Sequence, residues 1–174
     1  MDNLIITKMD NNFNIPDFDL LWSLRQKYGV NKIFRKEGFY DAHRYHASFG
    51  ITPCKYDKDS NYMFGLNLNG SKTEIPNELK SIHQYICKKF NCEYNQVIIN
   101  WFEDGNDYIP NHKDYIHNLN LTSGVISVSL MDNNNKNYDT KKRKLIIKTL
   151  KTKEETHHVD LEHKTIVCLK NDFL

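Results

Sequence analysis

Two segments of the chain carry apolar residues at helical spacing. The first is opened by Pro16 and Asp17 and has a stop signal at Gly29, and the second begins after Pro76 with Asn77 as the predicted N-cap. The apolar positions are Phe18, Leu21, Trp22 and Leu24 in the first segment, and Leu79, Ile82, Ile86 and Phe90 in the second. We therefore predict two helices, and we expect the amphipathic second one to lie on a sheet.

From Gln96 onward the pattern changes to short β-branched and aromatic runs, which predict strands. The runs cover residues 97–102, 125–130, 145–150 and 165–169. Between the second and third runs, residues 132–142 are rich in Asn, Lys and Asp and cannot bury apolar area, so we expect a surface loop there. Helices followed by several short strands predict an α+β domain with a two-sheet core of jelly-roll type and the helices packed on one sheet.

Composition narrows the class of protein only a little. A chain of 174 residues is large enough for one hydrophobic core, and a formal net charge of +2 favours neither nucleic acid nor an anionic membrane. Four cysteines, Cys54, Cys87, Cys92 and Cys168, form no Cys-x-x-Cys pair, so we expect reduced thiols. The sequence shows no signal peptide and no run of about 18 apolar residues, and we expect an intracellular protein of the cytoplasm or nucleus.

The candidate chemistry lies directly after the first of the predicted strands. His112 and Asp114 are separated by one residue, so in an extended segment both side chains point to the same side of the backbone. A neutral imidazole and a carboxylate, joined by a second His from a distant strand, form the facial triad of non-haem Fe(II) oxygenases. The pair by itself is weak evidence, because many proteins contain it in a solvated loop.

The surrounding run, residues 100–114, resembles the AlkB family of oxygenases. In that family a strand ending in Asn-x-Tyr is followed by Asp-Gly, an apolar residue and His-x-Asp. The matching residues here are Asn100, Phe102, Asp104, Gly105, Ile109, His112 and Asp114. The resemblance covers residues 39–174, including 123–129, Arg143 with Leu145, and 161–169, and it leaves residues 1–38 as an N-terminal helical extension. It implies a double-stranded β-helix, another name for the jelly-roll core.

The resemblance also implies the cofactors. His112 and Asp114 are then two ligands of Fe(II), and Asn100 and Phe102 take the positions that help hold the co-substrate 2-oxoglutarate. Phe102 stands where the family has Tyr, and the loss of the hydroxyl costs about 1 kcal/mol or more if an acceptor is left unpaired. The implied reaction consumes O₂ and demethylates alkylated bases in DNA or RNA, with the methyl group leaving as formaldehyde.

The substrate residues depart from the family pattern. Arg44 and Tyr62 fall where the family has its nucleotide-recognition lid, while Tyr115 replaces the acidic residues that read the damaged base after His-x-Asp. The candidates for phosphate contacts are Arg44, Tyr45 and His46 on the lid and the basic run 141–144, and the candidates for stacking on a base are Tyr115 and His117. We expect a monomer that binds nucleic acid and does not bind a membrane. The alternatives are a protein side-chain hydroxylase of the same fold and an inactive remnant that at most binds nucleic acid.

The sequence does not provide an evident third metal ligand. The family's distal His and its Arg residues follow the strand that ends near Leu169, so we expect a chain truncated before them. Of the later histidines, we expect His157 and His158 to precede a turn and His163 to lie in it, which makes surface residues of all of them. Without a further strand, an unpaired sheet edge is expected around residues 161–169.

Prolyl-4-hydroxylase-type oxygenases offer a second resemblance. They combine a Tyr, Gly, Tyr run with His-x-Asp, and Tyr108 and Tyr115 resemble that pattern faintly. The extra residue between Tyr108 and His112, and the Asn before the aromatic residue, favour the AlkB arrangement.

Overall fold

The computed structural model describes residues 3–35, 38–50, 74–114, 122–132, 143–148 and 155–170. Within these ranges the chain forms two helices and eight strands. Their order is β1 (Leu4–Lys8), α1 (Phe18–Tyr28), β2 (Val30–Arg35), β3 (Gly38–Gly50), α2 (Asn77–Phe90), β4 (Gln96–Trp101), β5 (Val125–Val128), β6 (Lys144–Lys148), β7 (Glu155–Asp160) and β8 (Thr165–Leu169). The fold is α+β, and its strand pairs are antiparallel.

The chain divides into two compact units. The first consists of Met1–Asn14 and Asn111–Leu174, and the second of Ile15–Pro110. The first unit holds a three-stranded sheet with the order β1-β8-β5 and a two-stranded sheet of β6 and β7. The second unit holds the sheet β2-β3-β4 together with both helices.

Strand β8 lies in the middle of its sheet. Leu169 is in register with Leu4 of β1 on one side and with Val125 of β5 on the other. The prediction of an unpaired sheet edge at residues 161–169 is therefore wrong. The reason is that the N-terminal segment supplies a strand, which buries Ile166 and Val167 almost completely.

A shared hydrophobic cluster connects the two sheets of the first unit. Its buried members are Ile147 of β6, Val159 of β7 and Val167 of β8. The partly buried residues packed against them are Leu4, Leu145, Leu161 and Leu169. Because each fully buried aliphatic side chain contributes roughly 1.5–3 kcal/mol, this cluster stabilises the first unit.

In the second unit, helix α1 packs on the sheet through a face that its sequence spacing predicts. Asp17 caps the helix, since its carboxylate accepts hydrogen bonds from the backbone N–H groups of Asp19 and Leu20 at 2.8 and 3.2 Å. Leu21 and Leu24 are buried. Trp101, the last residue of β4, donates its indole N–H to the carbonyl of Leu21 at 3.0 Å, which fixes the end of that strand against the helix.

The predicted helices are confirmed, with one correction at a cap. Asn77 is the first residue of α2, and Pro76 occupies the N-cap position without a side-chain hydrogen bond. The four predicted strands correspond to β4, β5, β6 and β8 with shifts of one or two residues at most of their ends. Strands β1, β2, β3 and β7 were not predicted, so residues 1–38 contain two strands as well as α1.

Most of the predicted surface loop, residues 133–142, lies outside the described residues. No helix in the described part of the chain is long and apolar enough to cross a membrane.

Candidate metal centre and co-substrate strand

His112 and Asp114 lie in a segment of the first unit that is neither helix nor strand. The Nε2 atom of His112 is 3.5 Å from the Oδ1 atom of Asp114, so the two side chains approach each other. The two side chains are 44% and 34% exposed. Both donor atoms are thus close together and accessible from solvent.

This separation suits two neighbouring ligands of one divalent ion. Nitrogen and oxygen ligands lie about 2.1 Å from such an ion, so two ligands at a right angle are about 3 Å apart. At 3.5 Å the pair needs only a small adjustment of the side chains. The donor types, imidazole nitrogen and carboxylate oxygen, are also those of the Fe(II) facial triad.

A third ligand does not join the pair within the described residues. No group of three or more His, Cys, Asp or Glu side chains that could hold a metal ion occurs there. His157 and His158 lie on β7 with exposed side chains, and His163 lies in the turn before β8. The Nδ1 atom of His163 accepts a hydrogen bond from the backbone N–H of Met131 at 3.2 Å, which gives this ring a structural partner.

Asn100, one of the predicted co-substrate residues, lies on β4 in the second unit and is partly buried. Its Oδ1 atom accepts a hydrogen bond from Nε of Arg44 at 2.7 Å. This hydrogen bond orients the amide, because the oxygen faces the guanidinium and the NH₂ group of Asn100 is left to face the other way. Arg44 is only 4% exposed, so a predicted lid residue is in fact part of the sheet.

His46, a predicted lid residue like Arg44, is a second buried polar residue on this sheet. It is in register with Asn100 on β4, and it is 7% exposed. Burial, together with the charge of Arg44, lowers the pKa of His46 to about 4, while a hydrogen bond to the Val30 backbone opposes the shift. The ring is therefore neutral at pH 7, and its Nδ1 atom has no hydrogen-bond partner among the described residues.

Phe102 follows the end of β4 and is partly buried. Polar contacts hold the segment that follows Phe102. Glu103 forms an ion pair with Arg25 of α1, and its backbone N–H donates to the carboxylate of Asp107. Asp104 accepts a hydrogen bond from the backbone N–H of Asn106 at 2.7 Å. The acidic side chains of this turn are thus engaged within the unit.

An aromatic pair anchors the same segment to β3. The rings of His43 and Tyr108 stack with their centroids 4.5 Å apart and their planes inclined by 18°. The backbone N–H of Tyr108 also donates to the carbonyl of His43 at 2.9 Å. Tyr108 remains 47% exposed, so the pair presents an aromatic surface to solvent. The contact joins residues 65 positions apart, and no local sequence signal predicts it.

Three further predicted substrate residues, Tyr62, Tyr115 and His117, lie outside the described residues. So do Lys141 and Lys142 of the basic run. Lys144 lies 3.9 Å from the carboxylate of Asp160, as an exposed ion pair across β6 and β7.

Comparisons with known proteins leave the family open. No protein-family model matches this chain, and no curated protein matches it.

Proposed function

We propose that this chain is an Fe(II)- and 2-oxoglutarate-dependent oxygenase of the AlkB type, with His112 and Asp114 as two of its metal ligands. The observation that carries the proposal is the approach of His112 Nε2 to Asp114 Oδ1, 3.5 Å apart and accessible to solvent. The two packed antiparallel sheets of the first unit are compatible with a jelly-roll core, which we propose as the finer description of the fold.

The remaining steps assign roles to residues of this chain. His112 and Asp114 hold the metal and leave its other positions to the co-substrate and O₂. Asn100, oriented by Arg44, offers its NH₂ group as a hydrogen-bond donor to a carboxylate, which is the group that 2-oxoglutarate presents. Phe102 contributes apolar contact in place of a hydroxyl. Iron and 2-oxoglutarate supply the oxidation chemistry when bound, and the protein supplies placement.

We propose alkylated bases in single-stranded DNA or RNA as the substrate. The stacked rings of His43 and Tyr108 support this, because an exposed aromatic surface is the usual platform for an unpaired base. The carboxylates that follow β4 repel the phosphates of a nucleic acid only weakly, since Arg25 and backbone N–H groups engage them.

The test is a demethylation assay with the full chain. The protein is incubated with Fe(II), 2-oxoglutarate and N-methylated single-stranded oligonucleotides, and loss of the methyl group is followed by mass spectrometry. We expect formaldehyde and succinate in equal amounts, and their loss in Asp114→Ala. His157→Ala, which removes an exposed imidazole of the same unit, is the matched control and should retain activity.

Two results would contradict this substrate. Succinate release stimulated by peptides and not by oligonucleotides would identify a protein side-chain hydroxylase. Oligonucleotide binding without metal uptake and without succinate release would identify an inactive binding protein. Circular dichroism of each variant separates a folding defect from a lost ligand.

A further inference from the structure

The C-terminus of helix α2 has a defined cap that brings the backbones of two cysteines, Cys87 and Cys92, together. Asn91 adopts the left-handed conformation, with φ 48° and ψ 48°. Its backbone N–H donates to the carbonyl of Lys88 at 3.3 Å, and the N–H of Cys92 donates to the carbonyl of Cys87 at 3.0 Å. These paired hydrogen bonds define the Schellman motif.

The motif brings the two residues within reach of each other. In a Schellman cap, the residue after the left-handed position frequently contacts the residue five positions earlier, at the start of the last helical turn. Here these two positions are held by Cys92 and Cys87, where most proteins place apolar residues. Both thiols are free and partly exposed, so an oxidant in solution reaches them.

His83 lies next to one thiol of this pair. It precedes Cys87 by four residues and therefore lies on the same face of α2. Its Nε2 atom is 2.6 Å from the carbonyl of Tyr94 and 3.6 Å from the sulfur of Cys87. Because a carbonyl only accepts, Nε2 carries the hydrogen and donates it to Tyr94, which holds the ring beside the sulfur.

We propose that Cys87 and Cys92 are a redox-active thiol pair that closes to a disulfide across the cap of α2. With oxidised glutathione as the oxidant, the Cys87 thiolate attacks one glutathione sulfur, which forms a mixed disulfide and releases one glutathione. The Cys92 thiolate then attacks the Cys87 sulfur and releases the second glutathione. The two protons lost by the cysteines pass to the two glutathione thiolates, and the protein is oxidised by two electrons.

Two other readings of the site are weaker. A metal site would need His83, Cys87 and Cys92 to converge, and no such group of ligands occurs among the described residues. It would also break the hydrogen bond of His83 to Tyr94. Cys168 is a different kind of thiol, because it is fully buried in β8 and burial raises its pKa. It serves as the internal reference for an inert cysteine.

The experiment is peptide mapping of the native full chain after equilibration with mixtures of reduced and oxidised glutathione. Free thiols are blocked with N-ethylmaleimide, and the protein is then digested with trypsin. Lys88 and Lys89 lie between the two cysteines, so digestion places Cys87 in residues 81–88 and Cys92 in residues 90–113. We expect a linked pair of these peptides, and we expect Cys168 to remain reduced.

A variant makes the result decisive. In Cys92→Ser, Cys87 has no resolving thiol and should accumulate as the mixed disulfide with glutathione. Mixed disulfides at both cysteines of the wild-type chain without linked peptides, or a link from Cys87 to Cys54, would overturn the proposal.

Discussion

His46 lies in an environment that disfavours its charged form. It lies on β3 between strands β2 and β4, beside the cation of Arg44, and it is almost inaccessible to water. A second positive charge at this place is unfavourable, so the ring stays neutral, with its pKa lowered to about 4 from the ordinary value of 6.5.

The shift of His46 has a consequence for stability in acid. Its folded pKa is below its unfolded one, so between pH 6.5 and pH 4 the unfolded chain binds more protons, and stability falls as the pH falls through this window. We expect a loss of about 2 kcal/mol between pH 7 and pH 5 from this residue. The measurement is urea unfolding at both pH values, compared between the wild-type chain and His46→Gln.

The glutamine variant should lose that part of the pH dependence, whatever its stability at pH 7. His158→Gln, which changes an exposed histidine on β7, is the control and should behave as the wild type. An unchanged pH dependence in His46→Gln would show that folding does not lower the pKa of His46.

For single residues, the sequence predicts only the side-chain contacts that neighbours in the chain make. His112 and Asp114 are separated by one residue, so the approach of their side chains depends only on the local backbone. The hydrogen bond between Arg44 and Asn100 joins residues 56 positions apart, and it depends on how β3 and β4 pair. The resemblance therefore places Arg44 in a lid, although its side chain is buried in the sheet.

The sequence predicts the helices more completely than the strands. Leu21 and Leu24 are buried on α1, and Leu79 and Ile86 on α2, as the spacing of apolar residues predicts. Strand β1 has no comparable signal, because five residues are too few to show a period and their partner is β8 at the other end of the sequence. Strand β3 buries consecutive residues, Ala47 to Phe49, and so lacks the alternation that identifies a half-exposed strand.

The start of β5 depends on a single glycine. Gly124 has φ +75°, and a Cβ atom there would lie 2.3 Å from the carbonyl oxygen of Leu169 on β8. Gly124→Ala therefore strains the backbone and pushes the two strands apart. We expect it to lower the free energy of unfolding by at least about 2 kcal/mol in chemical denaturation.

Gly105 provides the matched control for that substitution. A Cβ atom at Gly105 would meet nothing within 4 Å, so Gly105→Ala should change stability by less than about 0.5 kcal/mol. Equal effects of the two substitutions would mean that β5 and β8 are not paired as described.

For the whole molecule, the chain divides into two units that share the candidate motif. His112 and Asp114 belong to the first unit, whereas Asn100 and Phe102 belong to the second. All four residues lie in one contiguous run, so the sequence alone predicts them together. The proposed facial triad needs a third ligand from a distant part of the chain, which no local pattern predicts. No metal-holding group of three is present in the described residues.

The central claim is that His112 and Asp114 bind a divalent metal ion, and titration with Mn(II) tests it directly. Mn(II) replaces Fe(II) without oxidation, and the free ion is measured by its electron paramagnetic resonance signal in the presence of 2-oxoglutarate. We expect uptake by the wild-type chain and by His157→Ala, and affinity lower by more than about tenfold in His112→Ala and Asp114→Ala. Equal affinity in all four proteins, or no uptake by the wild type, would contradict the claim.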